Sequence, residues 1–525
     1  MPDRDPIYDV AIVGYGPSGA VAAALLAQRG ASVYACDRLI EVYEKPRAIS
    51  LDHEILRLFQ QMGVLAALEP FIEPFTDSVW HGVDDQPIRR MSTVPPPHPL
   101  AHPPSIVFTQ PPVEGELRRH GRSVGVDVDL GAELIGLEQD AQGVSLRVRR
   151  SHPHTPVDPR GAPADEAGGI KTVRARWVIG CDGASSAVRT MCDIALDDLD
   201  FDENWLVADL LVGDEALARL PQTSAQYCRP ERPVTYLICP GRHRRWEIAI
   251  NPGEDPRQLA TDAGTWALLS PWLKPGEATL WRQASYRFHA LVASRWRVGR
   301  VFIAGDAAHQ QPPFLGQGMC QGLRDVANLS WKLEAVLRGR ASETLLDSYG
   351  LERRGHVVAL TTRIKHIGQL IGERDPARAR ERDARLLSEA GGVVRPTPRQ
   401  DVQPALAAGL LSMVAHPARG TIFPQAWLVQ GAGAAKVRMD DVLGCGWRVV
   451  LAEGEPAPDP AGWGLPQIRV ARLGDEGFTE CDGVLAGWFA RHRVCAAIVR
   501  PDHYVYGVAT DAASLQSQLQ RLDLG

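Results

Sequence analysis

Apolar and polar positions alternate most regularly at the start of the chain. Ile7–Val13 is an apolar run of strand length, and Ala31–Cys36 is a second one that ends on Asp37. Between them Pro17 stands where the first turn of a helix tolerates it, and Gly30 stands where a helix stops. The stretch therefore predicts strand, tight turn, helix, strand. Ile55, Leu58, Phe59 and Met62 mark one face of a further helix, with Ser50 or Asp52 as its cap. A short helix is expected over 110–121, and strands over 126–130, 133–139, 144–150 and 176–180. Residues 201–213 and 225–251 alternate with period two, which marks an inserted block rich in sheet. Another buried strand spans 300–304. After it, Met319, Leu323, Val326, Ser330, Leu333 and Leu337 fall on one face of a long helix. Helix continues over about 345–372. The arginine run 377–385 alternates in sign and reads as a solvated helix face. Three stretches lack periodicity: a proline-rich connector at 93–104, a long hairpin tip at 151–170, and a linker at 391–404. From about 417 onward, strand-like runs at 447–451, 468–470 and 494–499 alternate with helical ones, as in a small separate α/β domain.

Composition narrows the class. A chain of 525 residues predicts two to four domains, and 45% hydrophobic with 23% charged residues is the balance of a soluble globular protein. A net charge of −6 favours neither nucleic acid nor an anionic membrane as partner. Nine scattered cysteines, none spaced C-x-x-C, point to reduced thiols in a cytoplasm rather than disulfides or a zinc site. His152 and His154 stand close together, but no further ligand is near in sequence, so a solvated loop is the reading and no metal is expected. The N-terminus lacks a basic segment and no uncharged run reaches membrane-spanning length.

Gly14, Gly16 and Gly19 form G-x-G-x-x-G between the first strand and helix. In such a turn the first glycine permits the bend, the second admits a pyrophosphate and the third lets helix and strand pack closely. The helix start offers free N–H groups to phosphate, and Asp37 stands where a carboxylate meets an adenosine ribose. The stretch indicates a dinucleotide without saying which. Two further stretches follow apolar strands: CDGASSAVR at 181–189, and GDAAHQQPPFLGQGM at 305–319.

Together with PRAISLDHE at 46–54, YRFHA at 286–290, the continuation CQGLRDVANLSWKL to 333 and PQAWL at 424–428, these motifs resemble the single-component FAD-dependent aromatic hydroxylases. Within that family the resemblance is nearest to 3-(3-hydroxyphenyl)propionate/3-hydroxycinnamate hydroxylases, and it spans about 7–415. It implies an α/β chain (α+β overall) with three parts. These are a Rossmann-like FAD-binding domain (1–77, 105–195 and 286–400), an inserted antiparallel-sheet substrate domain (78–104 and 196–285), and a thioredoxin-like C-terminal domain (417–525). The last has no C-x-x-C, since Cys445-Gly446-Trp447 provides only one cysteine of such a pair, and is expected to be redox-inert.

The resemblance also implies an FAD site. Gly14, Gly16, Pro17, Ser18 and Gly19 would face the pyrophosphate, and Asp37 with Arg38 the adenosine ribose. Arg47 and Gln110 would reach the ribityl–phosphate region, and Asp182 the flavin and nicotinamide. Gly305 and Asp306 would hold a ribityl hydroxyl, and Pro313, Gly316, Gln317, Gly318 and Met319 the flavin edge. The implied reaction consumes NADH or NADPH and O₂ and hydroxylates a phenolic ring through a C4a-hydroperoxyflavin. The substrate would be a phenylpropanoid-type or related aromatic acid, or a polyketide or antibiotic scaffold. The flavin carries the chemistry, so no triad is expected and the phenol-deprotonating base stays unassigned. Tyr227, Tyr236, His289 and Phe314 are candidates for the substrate chamber, and His309 is read as a structural histidine that orients its loop, with a catalytic base as the competing reading. Arg229, Arg232, Arg242, Arg244 and Arg245 crowd the sheet block, where a carboxylate substrate would need a cation. A non-hydroxylating flavoenzyme or an FAD-binding sequestering protein are the competing readings. A homodimer is the open expectation for assembly.

Overall fold

The computed structural model describes residues 7–150, 169–431, 434–459, 463–465, 468–472 and 478–524. The expected hairpin tip, with His152 and His154, lies almost wholly outside the described residues. Its flanking strands, Val144–Arg150 and Ile170–Gly180, pair antiparallel.

The first strand, Ile7–Val13, lies between Ile170–Gly180 and Val33–Asp37 and runs parallel to both. Val301–Ile303 and Asp127–Leu130 extend the parallel sheet on its two sides. Val10, Ala11 and Ile12 are fully buried, in one core with the helix Pro17–Gln28 and with Leu134, Leu146 and Val148 of the strands Ala132–Gln139 and Val144–Arg150, which is why this strand is continuously apolar. The helix Pro17–Gln28 is buried from Gly19 to Leu26 and packs against the helix Gly318–Leu337, roughly 300 residues further along the chain. Asp52 accepts from Ile55 N at 3.4 Å and caps His53–Met62, as expected.

The second sheet has nine strands. Its central members are Ala278–Ala293, Leu196–Val212, His243–Ala249, Val234–Ile238 and Ser224–Tyr227, with Ser78–His81 and Pro87–Ser92 beyond them. Ala278–Ala293 is one continuous strand, so it crosses the domain boundary expected at 286. The sheet's two faces differ. Leu206, Ala208, Leu210, Tyr236, Trp246 and Ile248 pack under the helix Asp262–Leu269. The residues between them turn the other way, toward the nucleotide domain.

Two expectations are corrected by the structure. The 391–404 stretch, expected to be a linker, contains Pro396–Pro398, which pairs parallel with Pro87–Ser92 and closes the sheet edge. The helix Pro376–Glu389 is not solvated throughout, because Arg382 is buried and donates to the carbonyls of Leu370 (2.9 Å) and Cys228 (2.8 Å). A charge pattern shows sign and period but not the backbone carbonyls that wait for an arginine.

At the C-terminal end, Arg448–Leu451 pairs parallel with Arg469–Arg472 and antiparallel with Ala496–Val499, which in turn pairs antiparallel with Val505–Ala509. This unit is bolted to the rest by buried charge. Arg500 binds Glu352 and Asp502, each at 2.7 Å, and Lys332 binds Glu352 at 2.6 Å. Those cations hold the Glu352 carboxyl down to about 2 against the opposing effect of burial. Arg57 likewise reaches across to Asp440 at 2.6 Å. Asp440, Cys445 and His503 place ligand-type atoms within 4.8 Å of one another. Arg57 and Arg448 already press guanidinium groups onto this trio, occupying the place of a cation.

Candidate active site between the two sheets

A cavity of about 620 Å³ separates the parallel sheet from the nine-stranded sheet. Its floor is the glycine turn. Gly14 has φ +90°, and a Cβ there would lie 2.4 Å from Cys181 O. A Cβ at Gly19 would lie 1.9 Å from Gly14 O. A Cβ at Gly16 would meet nothing within 4 Å, and Gly16 lines the cavity with Pro17 and Ser18. Two glycines are therefore required by the protein's own packing, while the middle one leaves room for a ligand. The helix Pro17–Gln28 has no side-chain cap, so its first N–H groups remain available there. Gly318–Leu337 also starts uncapped at the cavity, with Gly318 and Met319 in the lining.

The acidic residues divide by what already binds them. Asp37 accepts from the backbone N–H groups of Tyr15 (2.7 Å) and Leu39 (2.8 Å), which fixes it at the strand end, and Arg38 beside it is exposed. Asp182 is turned inward. It accepts from Ser186 Oγ (2.5 Å) and Val188 N (3.0 Å), so its side chain shapes the turn while Cys181, Gly183 and Ala184 line the cavity. Asp306 is different: it lines the cavity and its carboxylate has no hydrogen-bond partner among the described residues. Desolvation by the surrounding protein raises its pKa. An unengaged carboxylate beside an open glycine turn and two free helix starts fits a ligand rich in phosphate and hydroxyl groups.

The loop carrying Asp306 is held from behind by Asp325, which belongs to the 305–333 stretch although the sequence analysis gives it no role. Asp325 accepts from Gly305 N (3.0 Å) and Arg353 Nε (2.9 Å), and shares a 2.8 Å hydrogen bond with His309 Nε2. His309 is buried and stacked on Trp296 at 5.5 Å, so its role is structural. Besides its place in that stretch, a polar residue at a core position of an amphipathic helix is the sequence signal for Asp325. Gln110 braces a second loop in a similar way. Its Oε1 accepts from Arg47 N (3.1 Å) and Ala48 N (2.7 Å), holding the loop that brings Arg47 to the cavity.

Gln317 stands at the start of the helix Gly318–Leu337, but its side chain turns into the protein. Its amide oxygen accepts from Arg324 (3.1 Å) and Gln403 (2.7 Å), and its side chain is not in the cavity lining. Pro313, Phe314, Leu315 and Gly316 do line it. Leu315 (φ +74°) and Gly316 (φ +61°) are both left-handed, a strained loop of the kind found beside ligands. Arg399 bonds the carbonyl of Leu315 and lies 4.3 Å over the Phe75 ring. It comes from the stretch expected to be a linker, and no sequence pattern marks it. Burial lowers its pKa to about 10, so it remains charged.

Phe314 packs edge-on to Trp205 at 5.5 Å and, with Trp80, Met91, Phe288, Ile367 and Ile371, makes an apolar chamber. His289 lies in the lining. Tyr227 and Tyr236 do not, which corrects their expected placement. Tyr227 stacks on His81 at 5.3 Å, while Tyr236 is fully buried against Trp246 and donates to Pro221 O at 3.2 Å. Strand alternation sends Gln226, Thr235 and Leu237 into the cavity instead. Of the five arginines on the sheet block only Arg245 lines the cavity. It is bound to Asp209 at 2.7 Å, while Arg229 and Arg232 pair with Asp85 and Glu254 elsewhere.

Residues 7–364 match the FAD binding domain family, and 420–523 match the HcaD C-terminal domain family. A probable NADH-specific resorcinol 4-hydroxylase of Rhodococcus jostii is 34% identical, covering 98% of this chain and 94% of that protein. A 3-(3-hydroxy-phenyl)propionate/3-hydroxycinnamic acid hydroxylase of Burkholderia cenocepacia is 32% identical over 96% of this chain and 94% of its own length. The fold is shared with the flavin-dependent monooxygenase PieE, solved with FAD and substrate (TM-score 0.77, 22% identity, 99% of each chain). It is shared too with aklavinone-11 hydroxylase (TM-score 0.76, 22% identity, 99% of each chain). With this sequence match across nearly its whole length, the chain belongs to the FAD-dependent aromatic hydroxylases.

Proposed function

We propose that the protein hydroxylates the ring of a small phenolic aromatic acid of the phenylpropanoid type. One ring C–H becomes C–OH, NADH or NADPH is oxidised, and the second atom of O₂ leaves as water. FAD supplies the redox chemistry when bound, accepting hydride and activating O₂. The protein's own residues bind, orient and exclude water. Gly16, Pro17, Ser18 and the free N–H groups behind them suit the pyrophosphate, with Gly14 and Gly19 setting the turn. Asp37 and Arg38 are the candidates for the adenosine ribose, Arg47 for phosphate, and Asp306 for a ribityl hydroxyl. The start of Gly318–Leu337 puts a positive helix end beside Met319, where reduced flavin would carry negative charge.

The observation that carries the aromatic-acid reading is Arg399. It is a charged guanidinium at the edge of an apolar chamber, with no carboxylate partner among the described residues. The relatives named for resorcinol and for hydroxyphenylpropionate support a phenolic ring in either case. The 448–509 sheet, one parallel pair flanked by antiparallel strands, supports a thioredoxin-like C-terminal domain. With no C-x-x-C pair in it and the Cys445 thiol pushed up to about 11 by burial, that domain is read as redox-inert. Among the described residues no helix is long and apolar enough to cross a membrane, and a cytoplasmic homodimer is the working assembly.

The test is turnover by the FAD-loaded enzyme with NADH and NADPH. The panel holds 3-(3-hydroxyphenyl)propionate, 3-ethylphenol and resorcinol, with products identified by mass. The acid should exceed 3-ethylphenol in kcat/KM by about tenfold or more, and Arg399→Gln should erase that preference. Resorcinol preferred over the acid, with no effect of Arg399→Gln on the ratio, would select an uncharged phenol instead.

A further inference from the structure

The sheet wall of the cavity carries one group that neither FAD nor a substrate carboxylate would engage. Glu247 lies on the strand His243–Ala249, opposite Val207 on one neighbour and Thr235 on the other. All three line the cavity. Glu247 is only 5% exposed, yet its carboxylate has no hydrogen bond among the described residues. Its nearest cation, Arg245 Nη1, stays 3.9 Å away.

That arginine is committed elsewhere. Arg245 donates to Asp209 and to the carbonyls of Arg47 (2.8 Å) and Pro46 (3.2 Å). Arg282 donates to the Pro46 carbonyl and lies 3.7 Å from Asp209. His243 is also bound to Asp209, at 2.7 Å. Asp209 thus gathers the cations of its two neighbouring strands, and Glu247 is left facing the chamber. Thr235 donates to Gln226 at 2.6 Å rather than to Glu247. A buried carboxylate without a donor is costly for a protein to keep, and a substrate O–H would satisfy it.

We propose that Glu247 is the catalytic residue that receives the substrate's phenolic hydroxyl. This rests on the phenol-hydroxylase reading above. The carboxylate accepts the hydroxyl's hydrogen bond and takes its proton as the ring is attacked. The O–H bond breaks, its electron pair passes to the ring as phenolate character, and the C–O bond forms at the activated carbon. The displaced ring hydrogen leaves as a proton when aromaticity returns, and Glu247 gives its proton back to the first oxygen. The inserted oxygen comes from O₂, whose O–O bond breaks as the C–O bond forms, and the other atom leaves as water with the two electrons of the nicotinamide hydride, as in the reaction proposed above. The chemistry also defines the ligand: a ring bearing at least one O–H donor, directed at the sheet. Desolvation raises the Glu247 pKa, assisted by Asp209 and opposed by Arg245 and Arg282, which brings it nearer to a phenol's.

The experiment compares wild type with Glu247→Gln in FAD-loaded protein. It measures hydroxylated product per NADH consumed, substrate Kd from the flavin spectrum, and the pH profile. The variant should lose about 10²-fold or more in product formation with Kd changed only a few-fold. It should also lose the acid limb of the wild-type profile, because a glutamine cannot protonate as pH falls. A fluorinated phenol already ionised at the assay pH should recover at least about tenfold relative to its parent. Product within about threefold of wild type, with the acid limb retained, would overturn the assignment and leave the hydroxylase reading intact. A wild-type enzyme forming no product from any phenol would overturn both. If Glu247→Gln fails to retain FAD, Glu247→Asp decides. Drawing the carboxylate back by one methylene should slow product formation more than about tenfold, and an unchanged rate would overturn the proposal.

Discussion

At the nucleotide end of the cavity the protein presents backbone, and at the sheet end it presents side chains. The Gly14–Gly19 turn and the starts of two uncapped helices offer N–H groups and space. The side chains nearby mostly hold the main chain in place, as Gln110, Asp182 and Asp325 do. The sheet wall works the other way. Its main chain is spent in strand ladders, and what it offers a ligand are side chains of separate strands, Gln226, Thr235, Arg245, Glu247 and His289 among them. A backbone-built site tolerates few substitutions and recognises a feature shared by many ligands. A side-chain-built site can be retuned residue by residue without disturbing the ladder.

The sharpest separation of the two is a pair of glycine substitutions. Gly19→Ala drives a Cβ to 1.9 Å from the Gly14 carbonyl, where only main chain could yield. It should abolish recovery of folded, FAD-containing protein. Gly16→Ala enters open space, so the apoprotein should melt within a few degrees of wild type while its Kd for FAD rises about tenfold or more. Flavin-to-protein absorbance ratios and thermal melts check both, and identical behaviour of the two would break the distinction between packing and ligand glycines.

Asp306→Ala comes next in size. Because Asp306 bonds nothing among the described residues, its removal should leave apoprotein stability unchanged or slightly raised and weaken FAD retention about ten- to hundredfold, the loss of roughly 1.5–3 kcal/mol of charge-assisted hydrogen bonding. A destabilised apoprotein with normal flavin content would reverse that assignment. Tyr236→Phe should show the smallest effect: about 1 kcal/mol of stability from the lost bond to Pro221 O, by denaturant titration, with kcat and KM unchanged. A large fall in kcat would mean that the covered face of the sheet reaches the chemistry after all.

The asymmetry also governs how much is legible in the sequence. Residues 7–37 announce themselves because strand, turn and helix are contiguous and glycine is the one residue that fits. The long helix, the buried strands and the structural His309 follow from period and context in the same way. Tyr227 and Tyr236 escape correct placement because period two shows which residues share a face but not which face meets the ligand. Arg399 stands in a stretch without periodicity, and its position depends on a three-residue strand that forms only once the Pro87–Ser92 edge exists. The bonding of Asp182 and Gln317 into the protein is invisible for a related reason: a motif names a position, and hydrogen bonds decide where its side chain turns.

The sequence by itself determined the cofactor class and the turn that cradles it, since local sterics and helix-end electrostatics act over a few residues. It determined the family too, through three motifs in a fixed order. Only the tertiary structure decided the substrate wall. Which carboxylates are bound and which are left open depends on strands from 78 to 293 and a segment near 399 meeting across one cavity, and neither propensity nor spacing encodes that meeting.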